Sequence, residues 1–347
     1  MGKRGSKGGG KGIIIDLGDL ARYRYLSLAW FARMAVAWLV GQDLFVELVN
    51  SVDSIINRAV EVVEKLRLGE KERGDVLEYL RGSEDVDLNT EHFMRWEVKE
   101  RTRVFGGGGR KVSESFSVRP YVFGLYLLGR GLTRVGGGTY LLIEPQLYLG
   151  YFSLSLEAFR EFYNTIRGFV AEFEREGGNN EGRVSETAFM TALAGLVINS
   201  LRRHNVSTCL IRELVGVPCG RTGVGEGREN VGNALVLYMV SKDGVTPLDL
   251  TGLVRGILGL ERLFGVGVSR TLASLAGGFA NRKRGGDITN IMNLLGDAVF
   301  RYSITGDLGP VYNMIRTVAT SEEYAWVLKP LLGGEGLGRG VVGEGGD

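Results

Sequence analysis

From Pro247 onward the sequence is punctuated like a helical bundle. Apolar-periodic segments at Leu250–Phe264, Ser269–Ala280, Asp287–Ser303, Leu308–Ala319 and Ser321–Leu332 are each bounded by Gly, Pro, Ser or Asp. The linkers between them are short, and short links between amphipathic helices force antiparallel neighbours. Upstream, Ser185 is placed to cap a helix over Thr187–His204. That helix ends in Arg202-Arg203-His204, cations that suit a helix C-terminus. Asn233–Val240 reads as a short helix or a strand before the turn signal Lys242-Asp243-Gly244.

The first half is mixed. Leu20–Val40 is the most hydrophobic stretch, yet Arg33 sits in its middle with Arg22 and Arg24 at its flank. A membrane span needs about 20 apolar residues, and a central arginine is costly in lipid, so a helix buried on nearly all sides is expected. Val52–Leu68 carries apolar residues at helical spacing, with Gly69 as its C′ stop. Glu72–Leu80 reads as a short helix or turn and Ser83–Thr90 as an acidic loop. Tyr121–Leu128 and Thr139–Leu149 are aromatic, apolar runs that read as buried strands, or as a strand and a short helix. Leu156–Glu174 has a Phe stripe at helical spacing that marks a core-facing helix. The fold class that follows is α+β and predominantly helical. A mixed domain over 13–176 is joined by a polar, glycine-rich linker at 177–184 to a helical domain over 185–332. The basic arm 1–12 and the tail 333–347 hold too little apolar surface to order themselves.

Within the mixed domain, Glu91–Arg119 alternates. Met94, Trp96, Val98, Thr102 and Val104 fall on one side, and Arg95, Glu97, Lys99, Arg101 and Arg103 on the other. Gly106–Gly109 interrupt, and Arg110-Lys111 open a second arm with Val112, Glu114, Phe116 and Val118 in step. This predicts a long β-hairpin with a cationic face and a basic tip. A second basic, glycine-rich connection, Gly129–Gly138, carries Arg130 and Arg134, and Arg282-Lys283-Arg284 form the densest basic cluster. Cations on such turns can approach phosphates closely. The bland counterpart is an ordinary two-faced hairpin whose arginines are solvated or paired with acids. Lys and Arg number 42 against 40 Asp and Glu, so a nucleic-acid surface has to come from local clustering.

Catalytic chemistry finds little to use. His92 and His204 are the only histidines, which leaves no credible Ser-His-Asp set and no zinc site. Cys209 and Cys219 lack metal-ligand spacing, and a bond between them is expected only in a hyperthermophile or an exported protein. Asp16 and Asp19 could form a strand-end metal pair, although capping a helix is the better role for Asp19. Gly223, Gly225 and Gly227 lack the dinucleotide fingerprint, and Lys11 is followed by Gly12 where a phosphate-binding loop requires Ser or Thr. The N-terminus has no clean signal-peptide pattern. No enzyme activity, cofactor, metal or small-molecule substrate is therefore expected. Gln42 and Gln146 are the only glutamines, a thinning of deamidation-prone residues that points to a hot habitat. Glycine, at 54 residues, argues against rigidity.

The layout resembles the large subunit of an archaeal type I-A CRISPR surveillance (Cascade) complex. The residues that carry this are Glu91–Arg119 and the helical run Leu250–Leu332, including Phe279–Asp287 and Arg301–Ala319. The resemblance is one of layout over most of the chain, without a signature motif matched residue by residue. It implies a non-catalytic, cytoplasmic subunit that contacts guide RNA and target DNA and assembles with other subunits. Arg101, Arg103, Arg110, Lys111, Arg130, Arg134, Arg282, Lys283 and Arg284 would be the contacts, with the hairpin tip reading base edges in a groove. The alternative is a structural assembly protein, either another defence-complex subunit or an archaeal viral coat or scaffold protein. In it, the hairpin and glycine-rich arms would make subunit contacts.

Overall fold

A computed structural model describes residues 14–23, 27–46, 48–66, 68–88, 116–176, 183–217, 219, 235–265, 267–281 and 285–320. The protein is α+β and predominantly helical, with two small sheets. It divides into two compact units. The described residues of 1–134, 138–156 and 240–245 form the first, and those of 135–137, 157–239 and 246–347 the second.

The first unit opens on β1 (Ile14–Ile15) and a 3-10 turn over Asp19–Tyr23. Asp16 Oδ1 accepts from the Asp19 N–H at 3.1 Å, and Asp19 Oδ2 accepts from the Asp16 N–H at 3.2 Å. Asp16 is thus the capping residue and Asp19 answers it, the reverse of the role expected for Asp19. Helix α1 (Ser27–Val40) is buried along almost its whole surface, as its composition predicts. Arg33, within it, forms a fork on Asp43 with two 2.6 Å bonds and reaches Glu144 at 2.7 Å. Its guanidinium also lies 4.4 Å from the Phe45 ring centre. Burial opposes the charge on Arg33, and the hydrogen bonds and charges of Asp43 and Glu144 outweigh it and raise its pKa. Among the described residues no helix is long and apolar enough to cross a membrane.

Helices α2 (Val52–Lys65) and α3 (Glu70–Arg81) follow. Ser51 caps α2 by accepting from the Ser54 N–H at 3.3 Å. Gly69 does not stop α2, which ends at Lys65 with Leu66 as its C-cap. It is instead the N-cap of α3, at a φ of −58° that any residue can adopt. The stretch expected to be a loop contains β2 (Val86–Leu88), antiparallel to β3 (Phe116–Val118), which also pairs in parallel with β1. The sheet order is β1-β3-β2. The hairpin predicted over 91–119 lies outside the described residues up to 115. Val118, from its second arm, pairs with Val86, a residue that precedes the expected first arm.

Tyr121–Leu128 is not a strand but the body of α4 (Pro120–Thr133), with Pro120 at the first helical position where its missing N–H costs nothing. The predicted basic loop Gly129–Gly138 is not a loop either. Its first half completes α4, and Arg134–Gly136 form β4, hairpinned through Gly137-Gly138 to β5 (Thr139–Leu142). The reason is steric. A Cβ at Gly129 would lie 1.9 Å from the Phe31 carbonyl oxygen, so glycine lets α1 and α4 cross with backbones in contact. A π-helical turn, Gln146–Tyr151, closes the unit.

In the second unit the aromatic stripe of α5 (Leu156–Glu176) is buried as expected. Phe169 and Phe173 stack on Phe189 at 5.4 Å and 3.8 Å, and Phe169 meets Phe279 edge-on at 5.9 Å. Phe189 belongs to α6 (Glu186–Arg203), whose cap is Ser185 as predicted. Asn293 and Asp297 grip that start: Asn293 Oδ1 accepts from the Ser185 N–H at 2.8 Å, and Asp297 accepts from the hydroxyls of Ser185 and Thr187. After the short α7 (Thr208–Leu214), β6 (Val236–Val240) and β7 (Val245–Asp249) turn about Ser241–Gly244, resolving the helix-or-strand alternative in favour of strand. Then come α8 (Thr251–Phe264), α9 (Val268–Ala280), α10 (Gly285–Thr305) and α11 (Gly309–Thr320), close to the predicted bounds. Ser321–Leu332 lies outside the described residues. Helix α6 packs against α8, α9 and α10. A Cβ at its Gly195 would sit 2.4 Å from the Leu272 Cβ, so here too a helical glycine marks a close crossing instead of a flexible joint.

Candidate functional site

Of the residues expected to touch nucleic acid, Arg101, Arg103, Arg110, Lys111, Arg282, Lys283 and Arg284 lie outside the described residues. Arg130 is inside and already occupied. Its Nε and Nη2 donate to the Tyr140 hydroxyl at 3.3 and 2.7 Å, and Nη1 donates to the Tyr126 hydroxyl at 3.4 Å. Its guanidinium lies 5.3 and 5.6 Å from the two ring centres. Burial opposes its charge, and Tyr126 and Tyr140 outweigh that and raise its pKa. Arg130 therefore fastens α4 to β5. Arg134 is exposed and 3.5 Å from Glu72, also exposed. Such pairs are worth no more than about 1 kcal/mol and exchange readily with solvent ions.

The second unit holds a basic cleft that the sequence reading did not assemble. It has a volume of about 450 Å³ and is lined by Asn199, Arg202, Arg203, Glu261, Gly265, Gly267, Ser269 and Arg270. Three local events build it. Helix α6 ends at Arg203, and Asn205 takes a left-handed φ of 62° that turns the chain away. Helix α8 ends on Gly265 at φ 64°, with its N–H returned to the Glu261 carbonyl at 3.0 Å, a glycine C-cap. Gly267 then starts α9, which brings Ser269 and Arg270 beside the end of α6.

The floor of the cleft is locked. Arg202 donates from Nε to Thr208 Oγ1 at 3.1 Å, from Nη1 to Ser269 Oγ at 2.8 Å and from Nη2 to Glu261 Oε2 at 2.8 Å. Glu261 Oε1 in turn accepts from the Ser269 N–H at 2.8 Å and from its hydroxyl at 2.6 Å. The carboxylate thus satisfies a backbone donor in the first turn of α9 and cancels the charge of Arg202. Arg203 and Arg270 differ. Both are exposed, and among the described residues neither makes an ion pair or a side-chain hydrogen bond. Asn199, one helical turn before Arg203, shares its face.

The cleft can hold an anion. Three guanidiniums face one carboxylate, leaving two positive charges without a counter-charge on its walls. Glu261, the carboxylate on that wall, has both oxygens engaged by Arg202 and Ser269. Among the described residues no group of three or more His, Cys, Asp or Glu is placed to hold a metal. The sequence did signal Arg202-Arg203 as a helix end. Arg270 and Glu261 carried no signal, because only the α8–α9 corner brings them to it.

Beside the cleft, Cys209 and Cys219 are joined as a disulfide with Cα atoms 5.4 Å apart, closing a bond the sequence left open. The chain between them is further fixed by Arg255, which donates from Nε and Nη2 to the Val215 carbonyl at 3.1 and 2.8 Å. Comparison of the chain with protein-family models, curated proteins and solved structures gives no match.

Proposed function

We propose that this protein is a non-catalytic nucleic-acid-binding subunit. The observation that carries the proposal is the pair Arg203 and Arg270, held by two different helices on one cleft with no counter-charge of their own among the described residues. Unpaired cations held on rigid elements suit phosphate recognition, whereas cations already paired contribute little. The basic segments at 101–111 and 282–284 extend the same chemistry in the sequence. The layout resemblance gives the finer form of the reading: the large subunit of an archaeal RNA-guided CRISPR surveillance complex, working in the cytoplasm with guide RNA, target DNA and partner subunits. The Cys209–Cys219 bond fits a hyperthermophile's intracellular protein, and it fits an exported protein equally well.

The test is filter binding of single-stranded RNA, single-stranded DNA and duplex DNA across a salt series. Binding should weaken steeply with salt, and should fall in Arg110→Glu/Lys111→Glu and in Arg203→Glu/Arg270→Glu. Salt-independent binding, or charge reversals without effect, rejects the reading. Co-purification of a short RNA with a repeating backbone subunit from the native host tests the finer form. A stable homo-oligomer free of nucleic acid would favour an assembly protein instead.

A further inference from the structure

We propose that the cleft between the ends of α6, α8 and α9 is a receptor for a phosphomonoester dianion, the terminal phosphate of a nucleic-acid strand or of a mononucleotide. This rests on the nucleic-acid reading for its source of ligand, and on the cleft alone for its chemistry. The argument begins with charge. Arg202 and Glu261 cancel each other through a direct 2.8 Å bond, so the walls present the charges of Arg203 and Arg270. Two uncompensated positive charges match a phosphomonoester near neutral pH, which carries about −1.5 to −2. A backbone phosphodiester carries half as much.

Geometry points the same way. A guanidinium presents its donors as a fork that binds phosphate through two parallel bonds, and two forks from separate helices can share the three terminal oxygens of a monoester. A diester has two such oxygens. The floor cannot swing away to relax this arrangement, because Arg202 is tied to three different residues and Glu261 is tied to two. The α9 terminus is not itself the receptor, since Glu261 already takes the Ser269 N–H. The volume, about 450 Å³, falls in the range of small-ligand sites of about 300–1,000 Å³. Asn199 supplies an amide that can donate to and accept from a sugar hydroxyl or a base edge. A Cβ at Gly265 would meet nothing within 4 Å, so that wall leaves room for the rest of the ligand.

The experiment is fluorescence anisotropy on the full chain. The probes are one short single-stranded RNA with a 5′-phosphate, with a 3′-phosphate, or with hydroxyls at both ends, and adenosine monophosphate serves as competitor. A phosphorylated end should bind at least about tenfold more tightly than the hydroxyl form, and adenosine monophosphate should remove that advantage. Arg203→Ala/Arg270→Ala should abolish the advantage with an unchanged melting temperature, and Arg203→Lys/Arg270→Lys should retain part of it. Equal affinity for phosphorylated and hydroxyl RNA overturns the inference and leaves the nucleic-acid reading standing. Direct binding of adenosine monophosphate that depends on Arg203 and Arg270, without RNA binding, keeps the receptor and rejects the nucleic-acid function. Absence of binding to every probe at low salt overturns both.

Discussion

Each unit places an arginine among carboxylates, and the two arrangements differ in balance. In the first, Arg33 is 7% exposed, forks onto Asp43 and reaches Glu144, so one cation meets two anions. In the second, Arg202 is matched by Glu261, and Arg203 and Arg270 are left over on the surface of the same cleft. A buried charge must be paired because water is not there to solvate it. An exposed one need not be, so arginines gathered without acids at the surface are free to meet a ligand. Counting charge over the whole chain, which is nearly neutral, hides this difference.

The contrast can be broken most sharply at Arg33. Arg33→Met should lower stability by roughly 3–5 kcal/mol in urea denaturation, because Asp43 would be left buried without its partner. A loss under about 1 kcal/mol would mean the pair is no more structural than a surface one. Next comes the glycine on which each unit crosses its helices. Gly129→Ala drives a Cβ into the Phe31 backbone and should cost roughly 3 kcal/mol, while Gly195→Ala meets the Leu272 side chain and should cost less. Equal costs would show that both crossings yield alike.

The second unit also carries a cross-link. Cys209→Ser/Cys219→Ser should lower stability by roughly 2–3 kcal/mol, the chain-entropy value for a loop this short, read as a shift in the denaturation midpoint. The smallest change in stability belongs to the surplus arginines. Arg203→Glu/Arg270→Glu should stay within about 0.5 kcal/mol of the parent in the same assay. A loss like that of Arg33→Met would show the two clusters to be the same kind of object.

What was legible in the sequence follows from these packing facts. The helices from α8 to α11 were readable because each keeps one wet face, which preserves the helical period, and because glycine or a short polar link separates them. Helix α4 was not, since burial on nearly every side erases the period and leaves an aromatic run that suits a strand equally well. Gly129 completed the error: a glycine that signals a loop in isolation is here the contact point with Phe31. Strand β2 is three residues inside an acidic stretch, too short to show alternation. At the cleft, Arg203 was visible as the end of α6, whereas Arg270 and Glu261 join it only through the tertiary fold. Arg130 was misread for a related reason: Tyr126, one turn before it on α4, and Tyr140 look like generic core aromatics, and only the fold brings Tyr140 of β5 to its guanidinium.

Helix α6 has a consequence for motion. Its buried positions run on consecutive residues from Leu193 to Ile198 and cover every side, against α8, α9 and α10. No face of its centre is open to water, so its central amides should exchange with deuterium only when the whole unit opens. Arg203 stands at the end of this rod, and Arg270 at the start of α9 that packs against it. Their backbone positions are therefore set in advance, whereas their exposed side chains still have rotamer freedom to lose on meeting a ligand.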